Sequence, residues 1–307
     1  MNYYSKRIEK FRKSMNCDVA VLISEKYNSN VYYFTGFKGI GFLLIFKNKK
    51  PVFLTTALDV SRIHNKAIDV IVLKKSLKDY FTELISTNKR IGIDILNLSA
   101  SYYLSIKKAL KPKKLIDISH ELVDQRAFKD EYEVKQLQKA CTETCDILAL
   151  CFKNMKKFTT EGDIKNFLET ETKRRGYDVG YDTIVASAAN GANPHYCDCN
   201  QKLKKGFMVI DFGVMVDGYH ADVSRTIYLG SPSIKEVEEY EKVLAVQESC
   251  IEMLQEGSTF ADAHNFAVKE LGNAYVHSLG HGIGLDIHEQ PSLNGKSTYK
   301  PQNTMTF

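Results

Sequence analysis

The residues of this chain whose types and spacing most strongly suggest chemistry are two aspartates, Asp211 and Asp222. Both lie in apolar, strand-like runs, and the dipeptide Asp217-Gly218 between the runs is typical of a two-residue β-hairpin loop. With that loop, residues that oppose each other across the hairpin share one face of the sheet. The pairs expected to oppose each other are Val216 with Tyr219, Gly213 with Asp222, and Asp211 with Ser224.

This register makes Asp211 and Asp222 diagonal neighbours on one face, and Gly213 leaves room between them. Two carboxylates held so close repel each other unless a proton or a cation lies between them. A divalent metal ion is the simplest candidate. The alternative is that one or both aspartates simply face solvent. Against it, aspartate is depleted in strands, and this hairpin is otherwise rich in residues of the buried type.

A second group of reactive residues lies at positions 277–289, which hold His277, His281 and His288, three of the eight histidines. Histidine is the commonest metal ligand and the usual acid or base near neutral pH. Gly280 and Gly282 flank His281, so little side-chain bulk crowds its ring and other backbone can approach closely. The pattern therefore favours a metal-binding or catalytic segment over isolated core or surface histidines.

These segments resemble, in the same order, the signatures of the pita-bread metallopeptidases, a family that includes methionine aminopeptidase, aminopeptidase P and prolidase. The quoted residues are Asp211-Phe212-Gly213 with Asp222 and Ser224-Arg225-Thr226, then His277-Ser278-Leu279-Gly280-His281-Gly282 and Leu285-Asp286-Ile287-His288-Glu289, and upstream Tyr181-Asp182-Thr183 through Asn190-Gly191 to His195-Tyr196. The prolidase branch is the most similar. The resemblance covers the whole chain, because its first part reads like the non-catalytic domain of prolidases and creatinases.

The resemblance implies a dinuclear site with five protein ligands, two aspartates, one histidine and two glutamates. Three of these match Asp211, Asp222 and His281, with Asp222 bridging two divalent ions (Mn, Co, Fe or Zn) and the other two residues holding one ion each. The sequence stops at Phe307, on the approach to the first glutamate motif. We therefore expect either a fragment of a longer enzyme or a short, inactive protein, and fewer ions in residues 1–307. The implied pocket residues, which would hold the substrate and stabilise the oxyanion, are His195, His277 and His288.

The function implied by the resemblance is metal-dependent hydrolysis of the Xaa-Pro bond in dipeptides or short peptides, through a metal-activated water. The alternative is a non-hydrolytic relative, because the same fold serves metal-free creatine hydrolysis and protein binding. Clustered carboxylates favour the peptidase, since a binding scaffold does not need them. We expect a cytoplasmic homodimer whose partner is a short proline-containing peptide, with no nucleic-acid or membrane partner.

Composition agrees with a globular protein of this kind. Hydrophobic residues make up 44% and charged residues 26%, and the net charge of +5 is spread over many lysines, so a nucleic-acid role is not required. The sequence has no apolar run of about eighteen residues and no apolar secretory leader at its start. Seven irregularly spaced cysteines predict reduced thiols rather than a disulfide framework or a zinc site.

The elements that must position these residues form two predicted domains. Residues 1–124 alternate β-rich runs with amphipathic helices and predict a creatinase-type α/β domain. Residues 125–307 predict an α+β pita-bread domain, without its last strands, in which helices pack on a curved antiparallel sheet. Its helices are expected near residues 130–155, from Thr160 to Gly176, and from the Ser233/Glu236 capping box to Gly257. Their apolar stripes, predicted to be core, are Val134, Leu137, Cys141, Cys145 and Leu148, and Val237, Tyr240, Leu244, Ile251 and Leu254.

Overall fold

The computed structural model describes residues 2–85, 89–194 and 196–307. The chain divides into two compact units, Met1–Arg126 and Ala127–Phe307. This division and the predicted boundary after residue 124 both lie within the helix Ser119–Ala127. Among the described residues, no helix combines the length and the apolar character that a lipid bilayer would require of a spanning segment.

The first unit is an α/β domain around one mixed sheet. Its helices are α1 (Tyr3–Ser14), α2 (Ser29–Thr35), α3 (Leu77–Leu84), α4 (Ala100–Leu110) and α5 (Ser119–Ala127), and its strands are β1 (Val19–Ser24), β2 (Gly41–Phe46), β3 (Val52–Thr55), β4 (Asp69–Val72), β5 (Arg90–Ile93) and β6 (Lys114–Asp117). The strand order is β4-β3-β2-β1-β5-β6. Every residue of β1 is buried, as expected for a continuous apolar run at the centre of a sheet. The predicted hairpin of β2 and β3 is confirmed, with Leu44 opposite Val52.

The second unit is α+β, as predicted, and its strands are antiparallel. Its helices are α6 (Glu131–Lys153), α7 (Glu161–Arg174), α8 (Ile234–Gln255) and α9 (Phe260–Leu271), and its strands are β7 (Asp178–Val179), β8 (Ile184–Ser187), β9 (Gly206–Phe212), β10 (Val214–Val216), β11 (Tyr219–His220), β12 (Val223–Leu229), β13 (Gly280–Gly282) and β14 (Glu289–Leu293). The predicted capping box of Ser233 with Glu236 on α8 is confirmed, and Thr160 is the N-cap of α7 as predicted, where it also forms a capping box with Asp163. Such caps satisfy backbone donors that a helix start leaves without partners.

The hairpin that carries the two aspartates follows the predicted register, with Asp211 on β9 and Asp222 directly before β12. β9 lies between β8 and β12, and β10 pairs with β11 and β7. Val216 opposes Tyr219 across the Asp217-Gly218 loop, and Asp211 opposes Ser224. On its other side Asp211 opposes Ile184 of β8, so the aspartate lies on the central strand of three. A side chain on a central, hydrogen-bonded strand has little backbone freedom, which suits a site that must hold its geometry.

The helix faces differ from the predicted stripes. On α8, the following predicted core residues are exposed: Val237, Tyr240, Leu244 and Ile251. The buried residues of α8 are Val246, Cys250 and Leu254, which pack with Phe260 and Ala263 of α9. The stripe prediction is therefore wrong for most of α8, because this helix carries apolar residues on more than one face and the position of α9 selects the buried one. On α6, Cys145 is likewise exposed, while Leu137 and Leu148 are buried as predicted.

Candidate active site

The side chains of Asp211 and Asp222 converge on one hydroxyl group, that of Tyr181. The Tyr181 hydroxyl lies 2.6 Å from Oδ1 of Asp211 and 3.0 Å from Oδ1 of Asp222. The two carboxylate oxygens are therefore no further apart than the sum of these distances, and both aspartates point to the same face of the sheet. This is the arrangement that the hairpin register predicts.

A hydroxyl carries one hydrogen, so Tyr181 can donate to only one of the two carboxylates at a time. Burial, together with the two acidic neighbours, raises the pKa of Tyr181 and keeps its hydroxyl protonated. Burial also raises the pKa of Asp211, and the negative charge of Asp222 adds to this rise, although the hydrogen bond from Tyr181 opposes it. The pair thus carries more negative charge than its surroundings stabilise, which is the electrostatic condition that favours a bound cation.

The close approach of these groups depends on Gly213, which lies between β9 and β10. A Cβ atom at this position would lie 1.9 Å from the carbonyl oxygen of Ala221 and 2.8 Å from Cε1 of Tyr181. Both distances are far inside van der Waals contact, so any larger residue would push the strand from its partner. The predicted role of Gly213, to leave room beside the aspartates, agrees with this packing.

His281 completes the convergence from β13. Its Nε2 lies 3.4 Å from Oδ2 of Asp222, and its Nδ1 lies 3.2 Å from the carbonyl oxygen of Gly282. An Nδ1–H that donates to a backbone carbonyl leaves a lone pair on Nε2, and a lone pair facing a carboxylate requires a proton or a cation between them. The side chains of His281 and Asp222 are 29% and 25% exposed, so a small ion can reach the site from solvent.

His288 lies beside His281, and its neighbour in sequence is anchored. The rings of His281 and His288 meet edge to face, with centroids 4.3 Å apart. Glu289, the next residue, forms a buried ion pair of 2.6 Å with Lys129, whose side chain is fully buried. Breaking a buried ion pair is costly because it leaves an uncompensated charge, so this pair holds the start of β14 in place next to His288.

Of the two other predicted pocket histidines, His277 is not part of this convergence. His277 is exposed, its ring packs against Tyr275 at 4.8 Å between centroids, and its Nδ1 contacts the carbonyl oxygen of Ser278 at 2.7 Å. His195 lies outside the residues that the structure describes. In the described part of the chain, no group of three His, Cys, Asp or Glu side chains is already arranged to hold a metal ion.

Tyr181 is the residue of this site whose role sequence reasoning did not assign. The signal that could have identified it is the strand β8, which begins three residues later and pairs with β9 so that Ile184 opposes Asp211. Extending that pairing by three residues would place position 181 opposite Val214, one residue beyond Gly213. The motif containing Tyr181 is visible in the sequence, but the pairing partner of β8 is not.

Comparison with protein families assigns both units of the chain. Residues 135–307 match the model of metallopeptidase family M24, and residues 7–128 match the creatinase/prolidase N-terminal domain. Among curated proteins, an Xaa-Pro dipeptidase of Pyrococcus horikoshii is 29% identical over 303 residues, which is 96% of this chain and 85% of that protein. An uncharacterised peptidase of Bacillus subtilis, YqhT, is 28% identical over 88% of this chain and 80% of its own length.

Solved structures give the same answer for the fold. The chain is similar to an Xaa-Pro dipeptidase from Bacillus anthracis, with a TM-score of 0.87, 26% identity, and coverage of 98% of this chain and 88% of that one. The prolidase of Pyrococcus horikoshii gives a TM-score of 0.86 at 27% identity, covering 99% and 88%. An X-Pro aminopeptidase from Thermotoga maritima gives 0.84 at 27% identity, covering 96% and 88%.

The predicted fold class, a creatinase-type domain followed by a pita-bread domain, is confirmed by these matches. The family model alone spans more than half of the sequence and contains Asp211, Asp222 and His281. A metallopeptidase family implies divalent metal ions, and the carboxylate and imidazole donors described above are of the type that bind them. This chain therefore belongs to metallopeptidase family M24, and in its sequence that family's hydrolase domain follows a creatinase/prolidase N-terminal domain.

Proposed function

We propose that this protein hydrolyses the Xaa-Pro bond of dipeptides or short peptides, and that Asp211, Asp222 and His281 bind the divalent metal ion on which the reaction depends. The observation that carries the proposal is the convergence of these three side chains through Tyr181 and through the contact between Asp222 and His281. The names of the Pyrococcus horikoshii and Bacillus anthracis relatives support the choice of Xaa-Pro substrates.

Asp222 is the central ligand of the proposal, because its two oxygens face different partners. Oδ1 faces the Tyr181 hydroxyl that also contacts Asp211, while Oδ2 faces Nε2 of His281. A carboxylate with this placement can act together with Asp211 on one side and with His281 on the other. A set of two carboxylates and one imidazole suits Mn, Co, Fe or Zn. Three donors are enough to hold at least one ion. When bound, a divalent cation supplies Lewis acidity that polarises the scissile carbonyl and makes water more nucleophilic.

The histidines next to the ligands are assigned to the substrate. His288 packs edge to face against His281, so its ring is within reach of a substrate group that approaches the metal ligands. We assign to it the stabilisation of negative charge on the carbonyl oxygen in the transition state. His195 and His277 are proposed to contact the substrate as well. For His277, which is exposed beside Tyr275, this role requires the substrate to cover it.

The test is hydrolysis by the purified protein. Metal-free protein is titrated with Mn²⁺ or Co²⁺ and assayed on an Xaa-Pro dipeptide and on the matched Xaa-Ala dipeptide. We expect cleavage of the proline substrate only, abolished by a chelator and restored by the metal. Rapid cleavage of both dipeptides would refute the specificity. Metal binding without cleavage of either would instead support the non-hydrolytic alternative.

A further inference from the structure

A buried carboxylate outside the aspartate–histidine site is bound to the segment that follows β8. Glu161, the first residue of α7, is 0% exposed. Its Oε1 accepts hydrogen bonds from the backbone N–H of Ser187 (2.7 Å), the Ser187 hydroxyl (2.8 Å) and the Asn190 amide (2.9 Å). Its Oε2 accepts a hydrogen bond from the Tyr196 hydroxyl (2.8 Å). All four donors thus belong to residues 187–196.

This segment opens the long connection between β8 and β9. The two strands are antiparallel neighbours, with Ser187 opposite Met208, yet residues 188–205 separate them in sequence. Connections longer than roughly 12–15 residues usually serve a function or remain disordered. In the described part of this one, the 3-10 helix Ala188–Ala192 leads away from β8, and the Asn190 amide also donates to the Tyr196 hydroxyl at 3.1 Å.

The other end of the connection, before β9, is bound by the same residues at the start of α7. The backbone N–H of Glu161 donates to the carbonyl of Gln201 (2.9 Å), and that of Leu203 donates to the carbonyl of Thr159 (2.9 Å). The main chain of Glu161 therefore holds the end of the connection, while its side chain holds the beginning. Both strands that border the connection lie in the sheet of Asp211, so its placement is coupled to the proposed metal site.

The charge state of Glu161 makes this attachment strong. Burial alone would raise the pKa of this carboxyl, but the hydrogen bonds from Ser187, Asn190 and Tyr196 outweigh burial and lower the pKa below its usual value. Glu161 is therefore ionised at neutral pH and depends on those donors for its stabilisation. Hydrogen bonds to an ionised acceptor are roughly twice as strong as neutral ones, so the donors are held more tightly than a glutamine would hold them.

We propose that Glu161 is a positioning residue, which fixes Ser187, Asn190 and Tyr196 against the start of α7 and so places the connection that follows β8 for the peptidase reaction. The proposal rests on the proposed function, since it assigns the segment to the same site. Glu161 itself is buried and its oxygens accept four hydrogen bonds from the protein, so it is not expected to touch the substrate.

The test compares Glu161→Gln with Glu171→Gln in the complete protein. Glu171 is a matched control because it is a buried carboxylate on the same helix, but its partners are Arg174 and Arg175 rather than the segment. We expect Glu161→Gln to lower kcat roughly 10- to 100-fold, as small misplacements do, with KM changed less than about threefold. Metal content should not change. Glu171→Gln should lower the melting temperature without this loss of kcat.

Hydrogen–deuterium exchange measures the positioning without reference to activity. In Glu161→Gln, exchange of the peptide containing residues 187–196 should accelerate about tenfold or more, and it should not do so in Glu171→Gln. Tyr196→Phe should lower kcat less than Glu161→Gln does, because it removes only one of the four hydrogen bonds that Glu161 accepts, together with the one from Asn190 to Tyr196. Equal losses of kcat in the two glutamine variants, or unchanged exchange in Glu161→Gln, would overturn the proposal. A wild-type protein inactive on every Xaa-Pro peptide would refute the proposed function, and exchange alone would then decide whether Glu161 fixes the segment.

Discussion

Replacing Tyr181 by phenylalanine in the metal-free protein separates the electrostatics of the aspartate pair from the rest of the fold. The substitution keeps the ring and removes only the hydroxyl, which contacts Asp211 at 2.6 Å and Asp222 at 3.0 Å. No other change to the side chain's packing is expected. The stability of the variant therefore measures how much one hydrogen-bond donor between two carboxylates contributes to the free energy of unfolding.

The magnitude follows from the charge of the acceptor. A hydrogen bond to an ionised group contributes about 1.5–3 kcal/mol to stability, and one to a neutral group about 1 kcal/mol. For a domain of the size of the second unit, each kcal/mol lowers the melting temperature by about 2–4 °C. Tyr181→Phe should therefore lower it by about 3–12 °C when Asp211 is ionised and by about 2–4 °C when Asp211 is protonated.

The pH dependence has a definite sign. Burial, together with the charge of Asp222, raises the pKa of Asp211 in the folded protein, and Tyr181 opposes the rise. The stabilisation from a protonated Asp211 is fully present below the pKa of the unfolded chain, about 3.9, and is lost as the pH rises through the raised value. Removing the hydroxyl raises the pKa of Asp211 further. The variant should thus lose more stability at pH 7 than at pH 4.5.

The assay is thermal unfolding of chelator-treated protein at both pH values, with and without added Mn²⁺. Tyr177→Phe is the matched control, because the Tyr177 hydroxyl donates to Glu143 (3.3 Å), whose side chain is 21% exposed, and not to the aspartate pair. Added metal should reduce the penalty of Tyr181→Phe, since a cation replaces the donor between the carboxylates. The reasoning is refuted if Tyr181→Phe costs the same at pH 4.5 and pH 7, or no more than Tyr177→Phe.

Much of the fold is determined by local signals that can be read from the sequence. The Asp217-Gly218 dipeptide sets the hairpin, and Asp217 and Gly218 both adopt positive φ angles (50° and 85°), as a turn of this kind requires. The capping box at Ser233 and the glycine after α8, Gly257 with φ 91°, mark the ends of that helix. The same logic could have identified α9, whose Thr259/Asp262 box was not used in the prediction.

Contacts between distant segments were less predictable, and α8 shows why. Its apolar residues lie on more than one face, and only the position of α9 decides that Cys250 is buried while Ile251 is 49% exposed. Hydrophobic periodicity reports that a helix has a buried side, but it does not report which neighbour covers it. The exact domain boundary, between residues 124 and 125, stays a prediction, and so do the ligand roles of the site residues.

Only the parts of the site that lie within one hairpin or one short motif were predictable from the sequence. The convergence of Asp211 with Asp222 follows from strand register, which is local, and it is present in the structure. The contributions of Tyr181 and Glu161 depend on β8 pairing with β9 and on α7 meeting the connection between them. These contacts join residues about 20–45 positions apart in the sequence, where no periodicity or turn signal applies.

Three further substitutions test the site. Asp222→Asn should weaken Mn²⁺ binding at least about 100-fold in a calorimetric titration, because it removes the central charge, and unchanged affinity would refute the ligand assignment. His288→Ala should lower kcat roughly 100-fold and leave the metal content and melting temperature nearly unchanged, whereas an equal loss of stability would make His288 a packing residue. Gly213→Ala should disturb both stability and metal binding, because its Cβ would lie 1.9 Å from the carbonyl oxygen of Ala221. Backbone cannot yield as a flexible side chain does, so we expect a cost of about 1–3 kcal/mol together with weaker Mn²⁺ binding. Gly280→Ala is the control, since its Cβ would meet only a side-chain methyl at 3.5 Å, an ordinary contact. If the two alanine variants unfold at the same temperature and bind Mn²⁺ equally, the close approach at Gly213 is not what holds the aspartates in place.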